Sequence, residues 1–554
     1  MSSLRRRILA AAGGLLVASL ALAGCGGSGG STGSSDNLLF KMGSGSTIDS
    51  LNPFVAFNQL AYNTFFYTYP YLVQYAPDLT FKGYFATKWV QSSDGKTWTF
   101  TVPADAKWTD GETLNADDVA WTYNTLLKYK DGGAGNWAGT IANLKSVKAT
   151  DASTVVFTYS KPVANVLSQL EQVPILPEQF WSKYTGGKDG ANLKSAKVVP
   201  PIISGGPFQV VGYQKDAIVQ FKANPDYYGT KPHIGGFAVK MYTNSDSMVT
   251  DLKNGTIDFV DAPPAAQMQP LKDAGFQVSD VPGVEWHDVI INSSPNKKDH
   301  PELQNLKVRE AFEYAVDRKR LIATIEDGAA EAGAAIVPPA TNTPDTPWSD
   351  PSLKPLPFDP DKANQMLDDL GYKKGSNGIR VANGVPMSYQ MIIPSSLDKA
   401  TAIFQILQDG FKQIGVDLNV KLLDASAAFS AITAPDNTYA EFDLAYWDWV
   451  PLIDPDFILS VLTCEQYGGW SDTGYCNKKY DQLYAKQATQ TDPQARLQTV
   501  YQMQQMIHQD RPYIVIGYDD AINATAPGWT GLVASPQGQF NALSTDSLVN
   551  VNKS

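Results

Sequence analysis

The sequence is poor in the residues that most often bind metals or build catalytic centres. It has three cysteines and four histidines among 554 residues, and the histidines, at positions 233, 287, 300 and 508, are far apart in sequence. A His-Glu-x-x-His metalloprotease motif is absent, and so is a phosphate-binding loop with the full spacing G-x-x-x-x-G-K-S/T. We therefore predict neither a metal site nor a cofactor.

Basic residues are outnumbered by acidic ones, 44 to 56, which gives a formal net charge of −12. A strongly acidic protein is not expected to bind nucleic acid, whose recognition requires a basic surface, and the charge favours solubility. Aromatic residues make up 11% of the chain and include 12 Trp and 26 Tyr. They are numerous enough to line a binding cleft or to fill large cores.

Apolar segments long enough to span a membrane are also missing after residue 24. The uncharged segment 8–24 is itself short for a membrane span. Arg5, Arg6 and Arg7 precede the uncharged residues 8–24, a pattern typical of a secretory signal peptide. The segment ends in Leu-Ala-Gly before Cys25, which resembles the lipobox of bacterial lipoproteins. We predict a signal peptide at 1–24, a lipidated Cys25 and a Gly/Ser-rich tether at 25–36. General export and twin-arginine export both fit the arginines.

The two remaining cysteines, Cys464 and Cys476, close a short loop with the sequence CEQYGGWSDTGYC. Outside the cell such a pair is expected to form a disulfide bond. Two free buried thiols and half of a metal site are the alternatives, although no histidine is near the pair in sequence.

Strand and helix patterns alternate along the chain. Residues 96–103 and 153–160 are typical of strands. Residues 116–129, 359–372 and 492–510 have helical periodicity, and Asn115 can cap the first of these helices. The alternation indicates an α/β protein. Without its signal peptide the chain would have 530 residues and a net charge of −15, which is too long for one core and suggests two to four lobes.

Several motifs, in a fixed order, carry a resemblance to one family. They are GSTIDSLNPF (45–54), WTFTVPADAKWTDGETLNADDVAWTYNTLL (98–127), SGGPF (204–208), NPDYYGTKPHIGGF (224–237), LKNGTIDFV (252–260), LKVREAFEYAVDRKRLI (306–322), FDPDKANQMLDDLGY (358–372), FDLAYWDW (442–449) and GYCNKKYDQL (474–483). The chain resembles the family 5 extracellular solute-binding proteins, the oligopeptide- and dipeptide-binding components of ABC importers. The resemblance covers nearly the whole chain after residue 36.

Two of these motifs have a structural interpretation. Trp108 to Gly111 is expected to form a turn in which Trp108 fills the core and Gly111 takes a positive φ. Arg309, Asp317 and Arg318 are expected to pair along one helix, because their spacing makes them neighbours on a helix surface.

The resemblance implies a type II periplasmic-binding-protein fold, with two lobes that close about a hinge and an extra α/β subdomain. Lobe I would be discontinuous, with residues 37–66, 205–285 and 516–554. The extra subdomain would be 67–204 and lobe II 286–515. The ligand would be buried between the lobes.

The segment FDLAYWDWVPLIDPD is the one expected to contact the ligand. In the family its backbone pairs with an extended peptide, and an aspartate further along holds the amino terminus of the peptide. Here that aspartate position falls on Pro451 or Leu452, and Asp448 replaces the usual glycine. At the opening motif, Thr47 stands where some peptide binders have a glutamate. The charged anchor is therefore absent or is replaced by Asp448.

The remaining candidate ligand-binding residues are aromatic: Phe54, Phe57, Tyr446, Trp447 and Trp449. Flat aromatic faces suit apolar peptide side chains and sugar rings alike. On a strand the two tryptophans point to one face and Asp448 to the other. The alternative is that both tryptophans lie in the core of a lobe.

The resemblance implies a lipid-anchored receptor on the outer face of the cytoplasmic membrane. It would be a monomer that captures peptides and passes them to an ABC permease. An oligosaccharide ligand is the first alternative and a nickel chelate the second, but we see no clustering of His and Met.

A secreted hydrolase is the alternative of a different class. Asp443, Asp448, Asp454 and Asp456 would supply the two carboxylates of a glycosidase, but no serine stands in a credible nucleophile elbow.

Overall fold

The computed structural model describes residues 38–554 except 396, 398, 435 and 536–543. The predicted signal peptide, Cys25 and the tether lie outside the described residues. No helix in the described ranges has the length and hydropathy that crossing a membrane requires.

The strands, in chain order, are β1 (Leu39–Ser44), β2 (Val73–Tyr75), β3 (Phe81–Gly83), β4 (Lys88–Gln91), β5 (Thr97–Thr101), β6 (Ala106–Lys107), β7 (Thr113–Leu114), β8 (Leu144–Asp151), β9 (Thr154–Tyr159), β10 (Phe208–Gln214), β11 (Ile218–Ala223), β12 (Gly236–Met241), β13 (Phe259–Asp261), β14 (Gln277–Ile291), β15 (Ala330–Ala332), β16 (Val381–Ala382), β17 (Val385–Pro386), β18 (Ser388–Pro394), β19 (Asp417–Leu423), β20 (Leu444–Trp449), β21 (Tyr513–Thr525), β22 (Trp529–Thr530) and β23 (Asn552–Lys553).

The α-helices are α1 (Gln59–Thr68), α2 (Ala116–Tyr129), α3 (Val166–Leu170), α4 (Glu178–Trp181), α5 (Ser245–Lys253), α6 (Met268–Asp273), α7 (Leu306–Tyr314), α8 (Arg318–Ile325), α9 (Pro360–Asp369), α10 (Ala400–Gln413), α11 (Ala425–Thr433), α12 (Asp456–Val461), α13 (Lys478–Gln487), α14 (Pro493–Asp510) and α15 (Thr545–Asn550).

One large mixed sheet organises the chain, with the strand order β10-β11-β12-β1-β13-β21-β14-β20-β18-β19 and β15 added to β21. On one side, β1 is parallel to β12 and β13; on the other, β18 is parallel to β19 and β20. The two long strands β14 and β21 are antiparallel and belong to both sides. Their pairing is interrupted between Pro282 and Trp286, so the sheet consists of two groups of strands joined by this pair.

Separate cores surround the two groups. One buried cluster, which includes Phe40, Phe54 and Trp181, joins the first group of strands to the four-stranded sheet β4-β5-β9-β8 and to α2. Two further clusters cover opposite faces of the second group. One contains Tyr446 and the other contains Trp449.

Local signals in the sequence predicted several elements well. Helix α2 begins after Asn115, whose side chain forms a capping box with Asp118. Helices α9 and α14 are capped by Asp359 and Asp492. The turn after Trp108 is also confirmed: this residue is buried, and Gly111 has a φ of 90°.

The prediction that Arg309, Asp317 and Arg318 pair along one helix is wrong. The chain forms two helices here, because Asp317 caps α8 by accepting a hydrogen bond from the Arg320 amide. Arg309 donates instead to the backbone carbonyl of Asp510, and Arg318 pairs with Glu313 at 2.8 Å.

Candidate ligand-binding site

A cavity of about 330 Å³ lies among segments that are far apart in sequence. Its walls come from α1 and the residues after it, from 136–140, from the end of α3, from the loop 450–454 after β20, and from the start of α15. These segments belong to all three predicted parts of the chain. The volume is at the lower end of the range for small-molecule sites.

Aromatic and neutral polar side chains form one wall of this cavity. Gln59, Tyr62 and Phe66 are spaced by three and four residues, so they lie on one face of α1 and face the cavity together. Tyr71 and Trp137 extend this wall. The wall therefore offers ring faces and amide groups to a ligand.

The loop 450–454, which directly follows the two tryptophans, forms the opposing wall. Val450 and Leu452 are exposed, whereas Ile453 is buried against Leu79 and Val284. Pro451 and Leu452, at the positions where the family has its anchoring aspartate, both line the cavity. The loop that follows the predicted ligand-contacting strand therefore lines the cavity, and no charge stands at the anchor position.

A buried ion pair holds the end of this loop. Both carboxylate oxygens of Asp454 accept hydrogen bonds from Arg496 of α14, at 2.6 and 2.7 Å. The Arg496 Nε also donates to Gln487, whose side-chain amide donates to Asp456 at 2.6 Å. A bidentate pair of this kind fixes geometry as well as charge, so it sets the position of the loop over the cavity.

The two tryptophans share one face of β20, and aromatic neighbours cover that face. Trp447 packs on Phe429, and Trp449 on Phe457, with ring centroids 5.8 and 6.1 Å apart. Trp470 contacts both phenylalanines. Trp449 is only 6% exposed and belongs to a buried cluster, whereas Trp447 is partly buried at its edge.

The Trp449 indole also has a specific polar partner. Its Nε1 donates to the buried carboxylate of Asp472 at 3.0 Å, and the Tyr513 hydroxyl donates to the same carboxylate. Burial raises the pKa of Asp472 to about 7, although these two donors act against the increase. Asp472 lies in the loop between Cys464 and Cys476, which are joined by a disulfide bond, as the sequence predicted.

On the other face of β20, Asp448 lies in an acidic group around His287. The His287 Nε2 is 2.8 Å from a carboxylate oxygen of Asp519. Burial acts to lower the pKa of His287, but the carboxylate of Asp519 raises it to about 10. Burial raises the pKa of Glu285 to about 8, and that of Asp448 is also raised, mainly by burial. Tyr446 is buried on this face and stacks on the imidazole of His287.

Three of these groups could together hold a metal ion. Glu285, His287 and Asp519 each place one ligand atom within 4.8 Å of the others. The ion pair between His287 and Asp519 accounts for their proximity without a metal. None of the three lines the cavity described above.

The candidate residues of the opening motif are separated in the structure. Phe54 is buried against Trp181, with ring centroids 5.1 Å apart, whereas Phe57 is 77% exposed. The Thr47 hydroxyl accepts a hydrogen bond from Asn58. None of the seven candidate ligand residues (Thr47, Phe54, Phe57, Tyr446, Trp447, Asp448 and Trp449) lines this cavity, so direct ligand contact by any of them stays a prediction.

Sequence reasoning missed the aromatic and amide residues of the α1 wall, and it also missed one carboxylate, Glu171. Glu171 follows directly on the last residue of α3 and lines the cavity. Burial raises its pKa from 4.5 to about 8. The one signal in the sequence was a carboxylate at a helix C-terminus, where the helix dipole disfavours negative charge.

Comparison with known proteins identifies the family. The profile of the bacterial extracellular solute-binding proteins, family 5 (middle), matches residues 80–469. The chain belongs to this family. It is therefore an extracytoplasmic solute-binding protein and not an enzyme.

Individual relatives and structures agree with this assignment. The dipeptide-binding protein of Escherichia coli is 25% identical over 480 residues, 82% of this chain and 84% of the relative. The oligopeptide-binding protein AppA of Bacillus subtilis, solved with a nonapeptide, has a TM-score of 0.76 at 20% identity and covers 93% of this chain and 98% of its own. NikZ of Campylobacter jejuni, solved with Ni(L-His), has a TM-score of 0.78 at 21% identity. The match covers 94% of this chain and 100% of the NikZ chain. The solved structures confirm the predicted two-lobed fold.

The ion pair between Asp454 and Arg496 leads to a stability prediction. The two side chains are 8% and 4% exposed. Arg496→Met should lower the free energy of unfolding by about 3–5 kcal/mol, because it leaves a buried carboxylate without a partner. Urea denaturation measures this loss.

The matched control is Arg320→Met, which breaks an exposed pair with Asp409. This change should cost less than about 1 kcal/mol. If both variants lose the same small amount of unfolding free energy, the ion pair between Asp454 and Arg496 does not stabilise the protein.

Proposed function

We propose that this family 5 protein captures short peptides in the cavity between α1 and the loop 450–454 and delivers them to an ABC permease. The observation that carries the proposal is the composition of the cavity: ring faces and amides on one wall, and the exposed apolar residues Val450 and Leu452 of the loop on the other. Ring faces, amides and apolar side chains suit the varied side chains of peptides, and main-chain hydrogen bonds supply affinity that does not depend on the peptide sequence.

Contacts between distant segments support a closing mechanism. Leu79, Val284 and Ile453 form a small buried cluster beside the cavity. The Ala164 amide donates to the Ala488 carbonyl at 3.1 Å. A ligand that contacts both walls would favour the closed arrangement in which these contacts form, and differential affinity of this kind shifts the population without breaking any bond.

The ligands of the relatives agree with a peptide in part. The E. coli relative is named for dipeptides and the B. subtilis structure holds a nonapeptide, whereas NikZ holds a nickel chelate. In the part of the chain that the structure describes, no histidine, cysteine or methionine lines the cavity, which makes a metal chelate a poor fit. An oligosaccharide is the second candidate, because Tyr62 and Trp137 offer ring faces on which a sugar could stack.

A thermal-shift screen of the purified chain, without its signal peptide, tests the proposal. The probes are pooled dipeptides to tetrapeptides, pooled oligosaccharides and the nickel–histidine complex. A ligand at one hundred times its Kd should add about 2.7 kcal/mol to the free energy of unfolding. We expect a shift with peptides alone. A shift with oligosaccharides or the chelate alone would replace peptides by that class, and no shift with any pool would contradict the assigned cavity.

The lipid anchor is a separate part of the proposal. Lipidation of Cys25 and the Gly/Ser tether would keep the binding domain at the outer face of the cytoplasmic membrane, near the permease. We expect Cys25→Ser to move the protein from the membrane fraction to the soluble fraction, as measured by immunoblot. Cys464→Ser, which breaks the disulfide bond with Cys476 and leaves Cys25 unchanged, is the control and should stay with the membrane. Membrane retention of the Cys25→Ser protein would refute the anchor.

A further inference from the structure

The charges on the cavity wall are all of one sign. Glu171, Asp454 and Asp546 line it, and among the described residues no lysine, arginine or histidine does. Two of these carboxylates already have cationic partners, since Asp454 pairs with Arg496 and Asp546 with Lys82. Glu171 differs from both.

Glu171 has no such partner among the residues that the structure describes. No hydrogen bond or ion pair joins its side chain to another described residue, although its backbone amide donates to the Leu167 carbonyl. Burial is the sole cause of its raised pKa, so no neighbouring charge offsets the desolvation. By its accessible surface Glu171 is half-buried, and a carboxyl group partly removed from water without a partner is costly. Glu171 lines the cavity that a ligand would fill.

We infer that Glu171 binds a cationic group of the ligand, an ammonium or a guanidinium, and so selects ligands that carry positive charge. The inference rests on the proposed capture of a solute in this cavity. Pro451 and Leu452 on the opposing loop carry no charge and cannot make this ion pair. A ligand cation beside Glu171 favours its ionised form and gives a charge-assisted hydrogen bond shielded from water.

The cation on a peptide has two possible sources, its amino terminus and a basic side chain, and three probes separate them. They are Ala-Phe-Ala with a free amino terminus, the same peptide with an acetylated amino terminus, and acetyl-Lys-Phe-Ala. Isothermal titration of each probe is carried out with the wild type, with Glu171→Gln and with Glu112→Gln. Gln keeps the shape of Glu171 and removes its charge. Glu112 is exposed and lies outside the cavity, so its change controls for net charge.

We expect the wild type and Glu112→Gln to bind at least one cationic probe about 10- to 100-fold more tightly than the acetylated neutral peptide, as for a hydrogen bond to a charged group. Glu171→Gln should abolish this preference. Tight binding of the free peptide alone identifies the amino terminus as the cation; tight binding of the lysine probe identifies a side chain.

Equal binding of all three probes to the wild type would overturn the role of Glu171 and leave peptide capture intact. A preference that persists in Glu171→Gln would overturn it too. If no probe binds any of the proteins, and the thermal-shift screen also shows no peptide effect, peptide capture itself fails.

Discussion

The pairing of β14 with β21 is the constraint on which the rest of the structure depends. These strands, of 15 and 13 residues, connect the two groups of strands in the large sheet. Their ladder is interrupted at Gly283, where a Cβ atom would lie 2.5 Å from the Asp519 carbonyl oxygen. An irregularity bends and twists a strand locally, so each group of strands can keep its own core on its side of the interruption. A solute-binding protein that closes about a hinge needs this arrangement.

The two faces of β20 differ in their charged neighbours. One face carries Asp448 and its acidic neighbours, and the ion pair between His287 and Asp519 lies among them. The other face carries the tryptophans, and Trp449 is tied to the disulfide-bonded loop through Asp472. Both faces are therefore occupied by the protein's own contacts. The strand β20 therefore positions the loop 450–454, which follows it, at the cavity.

The sequence predicted what depends on near neighbours. The cap at Asn115 and the helices that begin near residues 359 and 492 are short-range patterns, and so are the turn after Trp108 and the pairing of two cysteines twelve positions apart. The fold was predicted from the resemblance to the family. The resemblance also indicated the segment FDLAYWDWVPLIDPD, which contains the cavity loop.

Contacts between distant residues could not be predicted in this way. Asp472 is 23 residues from Trp449, and Arg496 is 42 residues from Asp454. The break between α7 and α8 was missed because helix periodicity continues through it, while Asp317 acts as a cap. Glu171 joins the site only through the tertiary fold.

The most direct test of this account is a crystal structure of the protein with a bound short peptide. We predict ligand density in the cavity, in contact with Tyr62, Leu452 and Glu171 and enclosed by the loop that Arg496 holds. Density against Asp448 and His287, with the cavity empty, would contradict it and would place the site on the opposite face of β20.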